Sequence, residues 1–170
     1  MKKLLLFLHV FCCSCFMVFS TTVSTCRERI NFGDCWRFHN GDEPEAVDAN
    51  FEDTGWQLLD LPHDWAIEGN FSKDHPSGTG GGALPGGIGW YRKTFVPEKA
   101  KFRIVFDGVY MNSEVYLNGI LLGRRPYGYI TFSYDLTPHL KWGEKNVLAV
   151  RVDNSEQPNS RWYSGCGIYR

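Results

Sequence analysis

The residues best suited to ligand chemistry stand near the end of the sequence, where an arginine is followed by two large aromatic rings. Arg161, Trp162 and Tyr163 follow a strong predicted strand and precede Ser164-Gly165. Saccharides present apolar C–H faces to flat rings and hydroxyl groups to forked donors, so this composition suits sugar contact. A core tryptophan beside a surface arginine is the other interpretation, and composition alone does not separate the two.

Other motifs of catalytic appearance lack the context that their chemistry requires. Residues 78–83 match G-x-G-x-x-A, but Pro85 and the glycines after it prevent the helix that a dinucleotide site needs. Ser164 is not part of a G-x-S-x-G motif, and no close Cys/His spacing indicates zinc. His63-Asp64 has the composition of an oriented base, but such a pair at a strand end more often caps a turn and fixes a loop. We favour that structural role.

The charged residues exclude some functions and select no catalytic pair. Hydrolysis of a glycoside needs two carboxylates roughly 5–9 Å apart, and the 19 acidic residues of this chain contain no pair that the sequence singles out. Acidic side chains on turns and strands are normally exposed to solvent, and we assign these residues no other role. The formal net charge of −1 provides no basic excess for nucleic acid, so no nucleic-acid partner is expected.

The elements that position these residues are predicted to be short strands. Strand patterns cover 90–96, 102–107, 114–117, 120–123, 129–135 and 146–152, with shorter extended pieces at 36–38 and 56–59. Asn118-Gly119 between two apolar runs predicts a hairpin, because both residues tolerate positive φ. Residues 135–140 predict a short helical turn with Thr137 as its cap. Seven or so strands without a long amphipathic helix predict an all-β sandwich.

A long turn-rich loop separates the loose first part of the chain from the dense strands. It runs from Asn70 to Gly89 and contains seven glycines. Loops of this length in compact domains are usually functional or disordered. His75 and Trp90, at its edges, are weaker candidates for ligand contact than the residues near the end of the chain.

The first residues of the chain predict an export signal. Two lysines precede an apolar run that ends at Phe19, and this run is short for a membrane span of about 20 residues. We expect residues 1–20 to be a signal peptide and residues 21–170 to be a mature domain in the periplasm or at the cell surface. A retained anchor and lipid modification of Cys26 are the alternatives.

Removal of this signal would leave three cysteines, Cys26, Cys35 and Cys166. An odd number permits at most one intramolecular bridge and leaves one thiol over. Export permits a Cys26–Cys35 bridge, but nothing in the sequence establishes it.

Five ordered motifs resemble the N-terminal domain of family-2 glycoside hydrolases, which include β-galactosidases, β-glucuronidases and β-mannosidases. The motifs are Leu61–Trp65, Gly89–Phe95, Phe106–Val109, Val115–Gly119 and Trp162–Arg170. The resemblance covers about residues 27–170, and the motifs are most similar to those of exported β-galactosidase-like members of Bacteroidetes. It implies a jelly-roll β-sandwich of the galactose-binding-domain type, here expected to lack its last strand.

The resemblance also implies a function. In the family this sugar-binding domain precedes an immunoglobulin-like domain and a TIM barrel, and the barrel carries the two glutamates of the retaining mechanism. We therefore expect a domain that shapes the pocket of a β-glycosidase through Arg161, Trp162 and Tyr163. No catalytic residue, metal or cofactor is expected in this chain. Its expected partners are a β-linked saccharide and the other domains of the parent enzyme.

The sequence departs from the family pattern at two positions, and it also leaves two other functions possible. Relatives often carry a substrate-contacting aspartate near the place of Arg161, which leaves the preferred sugar undecided. Cys166 replaces a small residue, which indicates a buried thiol. A free-standing carbohydrate-binding module is the alternative function. A third is a structural domain whose apolar surface docks on other domains.

Overall fold

The computed structural model describes residues 27–98 and 101–170, which form β-strands joined by loops and three short 3-10 helices. The strands are β1 (Trp36–Asn40), β2 (Gln57–Leu59), β3 (Gly87–Phe95), β4 (Arg103–Phe106), β5 (Val109–Tyr110), β6 (Ser113–Leu117), β7 (Ile120–Arg125), β8 (Phe132–Asp135), β9 (Asn146–Asn154) and β10 (Gly167–Ile168). The 3-10 helices span Pro44–Val47, Trp65–Glu68 and Thr137–His139.

The compact unit of the chain is Asn31–Arg170. Of the preceding unit, Met1–Ile30, the structure describes only residues 27–30, which have no regular secondary structure. The predicted signal peptide and Cys26 lie outside the described residues. Within the described ranges, no helix has the length and apolar character that a membrane crossing requires.

Six strands form one antiparallel sheet in the order β2-β1-β3-β9-β6-β7. β3 and β9 are its centre and pair along their whole length, from Gly87 opposite Asn154 to Phe95 opposite Asn146. Two shorter antiparallel ladders join β4 to β8 and β5 to β10. The described elements are therefore almost entirely β-structure.

The main core lies between the inward face of the six-stranded sheet and the two short ladders. Alternate residues of a strand point to opposite faces, so each strand contributes every second side chain to this core. The buried cluster includes Phe38, Tyr91, Val115, Leu148 and Val150 from the large sheet, and Ile104, Phe106, Val109, Phe132 and Ile168 from the ladders. The predicted all-β sandwich is confirmed.

The hairpin prediction is confirmed and the helical-cap prediction is wrong. Asn118 and Gly119 have φ values of 52° and 85°, which join β6 to β7 in the turn that an Asn-Gly pair favours. Thr137 does not cap the last 3-10 helix. Its backbone N–H donates to Asp135 Oδ1 at 3.0 Å, while its hydroxyl accepts a bond from the Phe102 N–H at 3.0 Å. The hydroxyl therefore joins two chain segments. The N-cap residue is Leu136, which makes no side-chain capping bond, and the Asp135 carboxylate accepts only the first N–H of the helix.

The outward face of the sheet is covered by residues 41–56, and the buried guanidinium of Arg92 holds this covering segment. Arg92 Nε donates to Asp53 Oδ2 at 2.8 Å. Its Nη atoms donate to the carbonyl oxygens of Ala46, of Asp48 at 2.9 Å and of Phe51 at 3.3 Å. Because these carbonyls belong to an irregular segment, they need partners that the sheet does not provide. The middle of β3, residues 89–92, is therefore buried on both faces.

Removal of the Arg92 side chain should destabilise the domain strongly. Arg92→Ala leaves the Asp53 carboxylate and three carbonyls without their donor, and breaking a buried charge network costs about 3–5 kcal/mol of unfolding free energy. Arg92→Lys should recover little, because one ammonium group cannot reproduce a planar fork of donors. Urea denaturation of the 170-residue chain measures both effects.

Thr94→Ala is the control, because Thr94 lies exposed on the same strand. It should change the unfolding free energy by less than about 0.5 kcal/mol. An Arg92→Ala variant as stable as this control would show that the guanidinium does not hold the covering segment.

Candidate functional site

The two motifs that contain His63-Asp64 and the aromatic pair lie side by side, although about a hundred residues separate them in sequence. The His63 N–H donates to the carbonyl of Ile168 at 2.9 Å, and the Trp65 N–H donates to the carbonyl of Cys166 at 3.2 Å. These two bonds join the end of the chain to the start of the second 3-10 helix. The segment that contains Trp162 and Tyr163 is thereby brought to one edge of the sandwich.

A single carboxylate, that of Asp64, anchors this segment. Its Oδ1 accepts the backbone N–H of Cys166 at 2.9 Å and that of Ala66 at 3.1 Å. Its Oδ2 accepts the hydroxyl of Tyr163. Asp64 therefore caps the 3-10 helix and holds the candidate loop at the same time. This geometry supports the structural role that the sequence favours for His63-Asp64.

His63 completes the junction beneath the loop. Its Nδ1 lies 2.8 Å from the Tyr91 hydroxyl, and its Nε2 lies 3.1 Å from Glu68 Oε1. Gly167 packs onto the same place with a φ of 127°, and any side chain there would collide with the Tyr91 hydroxyl and the His63 carbonyl. Only glycine combines this backbone conformation with such close approach, which explains its place before Ile168.

The glycine-rich loop closes on itself and packs against the candidate loop. His75 Nδ1–H donates to the Ala83 carbonyl at 2.9 Å, and the Ser77 hydroxyl donates to the Leu84 carbonyl at 2.7 Å. A Cβ atom on Gly80 would lie 3.2 Å from the carbonyl oxygen of Arg161. In the structure, His75 shapes this loop and its Nδ1 is already engaged.

The candidate site is a small cleft where residues 77–85 meet residues 154–166. Its volume is about 20 Å³, which is space for a single water molecule. Trp162 and Tyr163 line it, together with polar groups that include Gln157, Asn159 and Ser160. Trp162 is 70% exposed and Tyr163 is 38% exposed, so both rings form the rim of the cleft.

The structure brings together some of the predicted site residues. Arg161, Trp162 and Tyr163 are neighbours and all three are exposed, and His75 lies in the adjoining loop. Trp90 is elsewhere. It is 1% exposed on the covered face of the sheet, where its indole N–H donates to Asp42 Oδ1 at 3.2 Å. The Trp90 ring is therefore not presented to solvent.

Sequence reasoning missed the polar residue that supports the cleft from below. Asn154 ends β9, and its Nδ2 donates to the Gly165 carbonyl at 3.2 Å and to the Cys166 sulfur at 2.9 Å. Its Oδ1 accepts a bond from Gln157 at 2.9 Å. No local motif marks Asn154, because its partners come from a later segment.

Protonation states in the site follow from burial and from Asp64. Burial, and then the hydrogen bond to Asp64, raise the pKa of Tyr163, so its hydroxyl stays a donor at neutral pH. Burial raises the pKa of the Cys166 thiol to about 12, although the Asn154 donor opposes this shift. Cys166 is 3% exposed, so the expectation of a buried thiol is confirmed. The described residues contain no group of three His, Cys, Asp or Glu placed to hold a metal ion.

Loss of the Asp64 carboxylate should release the candidate loop. Asp64→Ala removes the acceptor of two backbone amides and one phenol, and each bond to a charged group contributes about 1.5–3 kcal/mol. We expect hydrogen exchange at the Cys166 amide to accelerate at least about tenfold. Asp135→Ala, which removes the carboxylate that accepts the Thr137 N–H, is the matched control and should leave the Cys166 amide protected. Unchanged exchange in Asp64→Ala would contradict the anchoring role.

Cys166 should resist alkylation while the protein is folded. With its pKa near 12 it carries about a thousandfold less thiolate at pH 8 than a thiol of pKa 9, and burial restricts access further. Iodoacetamide followed by peptide mass spectrometry should label the exposed Cys35 and spare Cys166. Urea should make both thiols reactive. Equal labelling of the two in the native protein would disprove the buried state.

The chain that carries this site is similar to known glycosidases. Residues 51–158 match the family model described as "Beta-galactosidase second all-beta domain". A beta-galactosidase of Bacteroides ovatus, BoGH2A, is 69% identical over 155 residues, which are 89% of this chain and 18% of that protein. A putative beta-glucuronidase of Formosa agariphila is 50% identical over 159 residues, which are 91% of this chain and 15% of that protein.

Solved structures show the same fold. A glycosyl hydrolase family 2 member from Bacteroides cellulosilyticus superposes with a TM-score of 0.78 at 39% sequence identity. The match covers 83% of this chain and 19% of the solved chain. The chain thus spans less than a fifth of the length of each of these three proteins.

Proposed function

This chain belongs to glycoside hydrolase family 2, and we propose that it is the N-terminal sugar-binding domain of an exported, retaining β-glycosidase of the β-galactosidase type. The parent enzyme would hydrolyse O-glycosyl bonds in carbohydrate metabolism. The matching family model is described as a second all-beta domain, so the N-terminal position rests on the motif resemblance.

The observation that carries the proposal is the exposure of Trp162 on an anchored loop. Trp162 is 70% exposed, so the flat apolar face of its ring is accessible to a ligand. Four residues later, Asp64 holds the backbone N–H of Cys166, so the loop that presents the ring is anchored to the sandwich. A flat, preorganised ring suits the C–H face of a sugar.

The residues of the rim would divide the work of recognition. Trp162 would stack on the apolar face of the sugar, and the Arg161 guanidinium would donate to its hydroxyl oxygens. Tyr163 would act mainly through position, because its hydroxyl is already committed to Asp64. His75 would hold the neighbouring glycine-rich loop through its bond to Ala83.

The chemical step would belong to another part of the parent enzyme. Retaining hydrolysis uses two carboxyl groups about 5–5.5 Å apart, one as nucleophile and one as acid and base. The motif resemblance assigns both to a barrel domain. In this scheme the present domain contributes binding contacts and the exclusion of water at the mouth of that barrel.

The identity of the sugar depends on Arg161. Relatives of the chain are named as beta-galactosidase and as putative beta-glucuronidase. A guanidinium can donate to neutral hydroxyls, and it also forms strong bidentate bonds with a carboxylate such as that of a uronic acid. Binding of galactosides and glucuronides by this chain is therefore the decisive comparison.

The purified 170-residue chain should bind sugar weakly and hydrolyse none. With a nitrophenyl β-galactoside or β-glucuronide, product formation should not exceed that of a mock purification. In titrations with methyl β-galactoside, methyl β-glucuronide and methyl β-mannoside, we expect millimolar affinity, and Trp162→Ala should weaken it at least about fivefold, or about 1 kcal/mol. Tyr127→Ala, which removes another exposed ring, is the control and should not change binding.

Three outcomes separate the candidate functions. Measurable turnover would contradict the proposed division of work between domains. Submillimolar affinity of the chain alone would favour a free-standing carbohydrate-binding module. Binding that is insensitive to Trp162→Ala would refute the assignment of this rim as the sugar contact.

A further inference from the structure

A second and larger concavity lies at the edge of the six-stranded sheet, away from the Trp162 rim. Its volume is about 360 Å³, which is within the range of small-ligand pockets. We call it the β1 groove. It is lined by Phe38, His39, Asn40, Trp56, Gln57 and Glu68, with Trp65 and two glycines completing the wall.

The β1 groove exists because β2 separates from β1 before β1 ends. The two strands pair from Trp36 opposite Leu59 to Phe38 opposite Gln57. His39 and Asn40 continue β1 and pair only with β3 on their other side. The chain before Gln57 instead crosses to the covering segment, where Trp56 packs on Phe51. The edge of β1 therefore remains open.

The lining of the groove combines aromatic rings with two side-chain amides and one carboxylate. The His39 and Trp56 rings are stacked with centroids 5.2 Å apart and planes 26° from parallel. Asn40 and Gln57 are exposed side-chain amides, each of which offers both donors and an acceptor. Glu68 contacts His63 through Oε1. Its side chain is nevertheless 48% exposed, so the carboxylate still faces solvent. Aromatic rings, amides and a carboxylate together suit a polyhydroxylated ligand.

The charge of the lining selects among such ligands. The groove contains the Glu68 carboxylate and no lysine or arginine. Arg37 lies close by, but its guanidinium donates to the carbonyls of Thr54, at 3.4 Å, and Trp56, at 3.2 Å. An anionic sugar would be repelled by Glu68 without a compensating cation. A neutral sugar could donate its hydroxyls to that carboxylate.

We propose that the β1 groove is a binding site for a neutral saccharide, separate from the Trp162 rim. The two concavities share no lining residue. The wall between them is packed, since the Trp65 indole donates to the Gly86 carbonyl at 3.2 Å and a Cβ on Gly69 would collide with Pro85. This site does not depend on the function proposed for the Trp162 rim.

NMR titration of the ¹⁵N-labelled 170-residue chain tests the proposal. The probes are the neutral sugars lactose, cellobiose and xylobiose, and glucuronate as the anionic comparison. At least one neutral sugar should produce saturable shifts at the Trp56 indole N–H and the Gln57 backbone amide. The Asn40→Ala/Gln57→Ala double variant should raise its Kd at least about fivefold. The Kd of glucuronate should be at least about fivefold higher than that of the neutral sugar. Glu68→Gln should reduce this ratio of Kd values, because it removes the repelling carboxylate.

Two further variants distinguish this site from the rim and from general damage. Trp162→Ala should leave the shifts at Trp56 unchanged, and Thr94→Ala should leave both the shifts and the Kd unchanged. The proposal is overturned if none of the three neutral sugars shifts Trp56 in a saturable way. It is also overturned if the double variant binds as the unmodified chain does, or if Trp162→Ala abolishes the shifts.

Discussion

The carboxylate of Asp64 is the contact on which the organisation of the candidate site depends. It accepts bonds from the Ala66 N–H at the start of the second 3-10 helix, from the N–H of Cys166 and from the Tyr163 hydroxyl. Asn154 also holds the segment between β9 and β10, but Asp64 is the group that joins it to the second 3-10 helix and to the Tyr163 ring at the same time. One acceptor with several lone pairs can thus order a loop that has no regular secondary structure of its own.

Arg92 plays the corresponding role on the opposite face of the large sheet. Its planar guanidinium donates to one carboxylate and to carbonyls of a segment that has no strand partner. Burying a charge is costly unless it is paired, and here the pairing doubles as the attachment of the covering segment. In both places, a buried or half-buried ionic side chain satisfies the polar backbone of an irregular segment and so fixes that segment in position.

These two anchors leave two different surfaces open. Near Asp64, the backbone is fixed and Trp162 projects from it into solvent. At the edge of β1, the covering segment draws the chain away from the sheet and leaves a groove beside His39 and Asn40. The first surface carries an arginine and the second a carboxylate, so their preferences for charged sugars should differ. The two saccharide sites proposed for this domain share no lining residue, so they would be structurally independent.

The sequence by itself determined the fold class and most of the strands, because alternation of apolar residues and an Asn-Gly turn are local signals. It also singled out the neighbouring residues Arg161, Trp162 and Tyr163 and favoured a structural role for His63-Asp64. Strands β5 and β10, each of two residues, were missed because they are too short for any period to show. Only the tertiary structure decided that Trp90 is covered, that Asn154 and Asp64 support the same loop, and that a groove opens beside β1. These features depend on contacts between segments that are not adjacent in sequence, such as Trp90 with Asp42, 48 residues apart, and Asp64 with Cys166, 102 residues apart. Local sequence patterns do not encode such contacts.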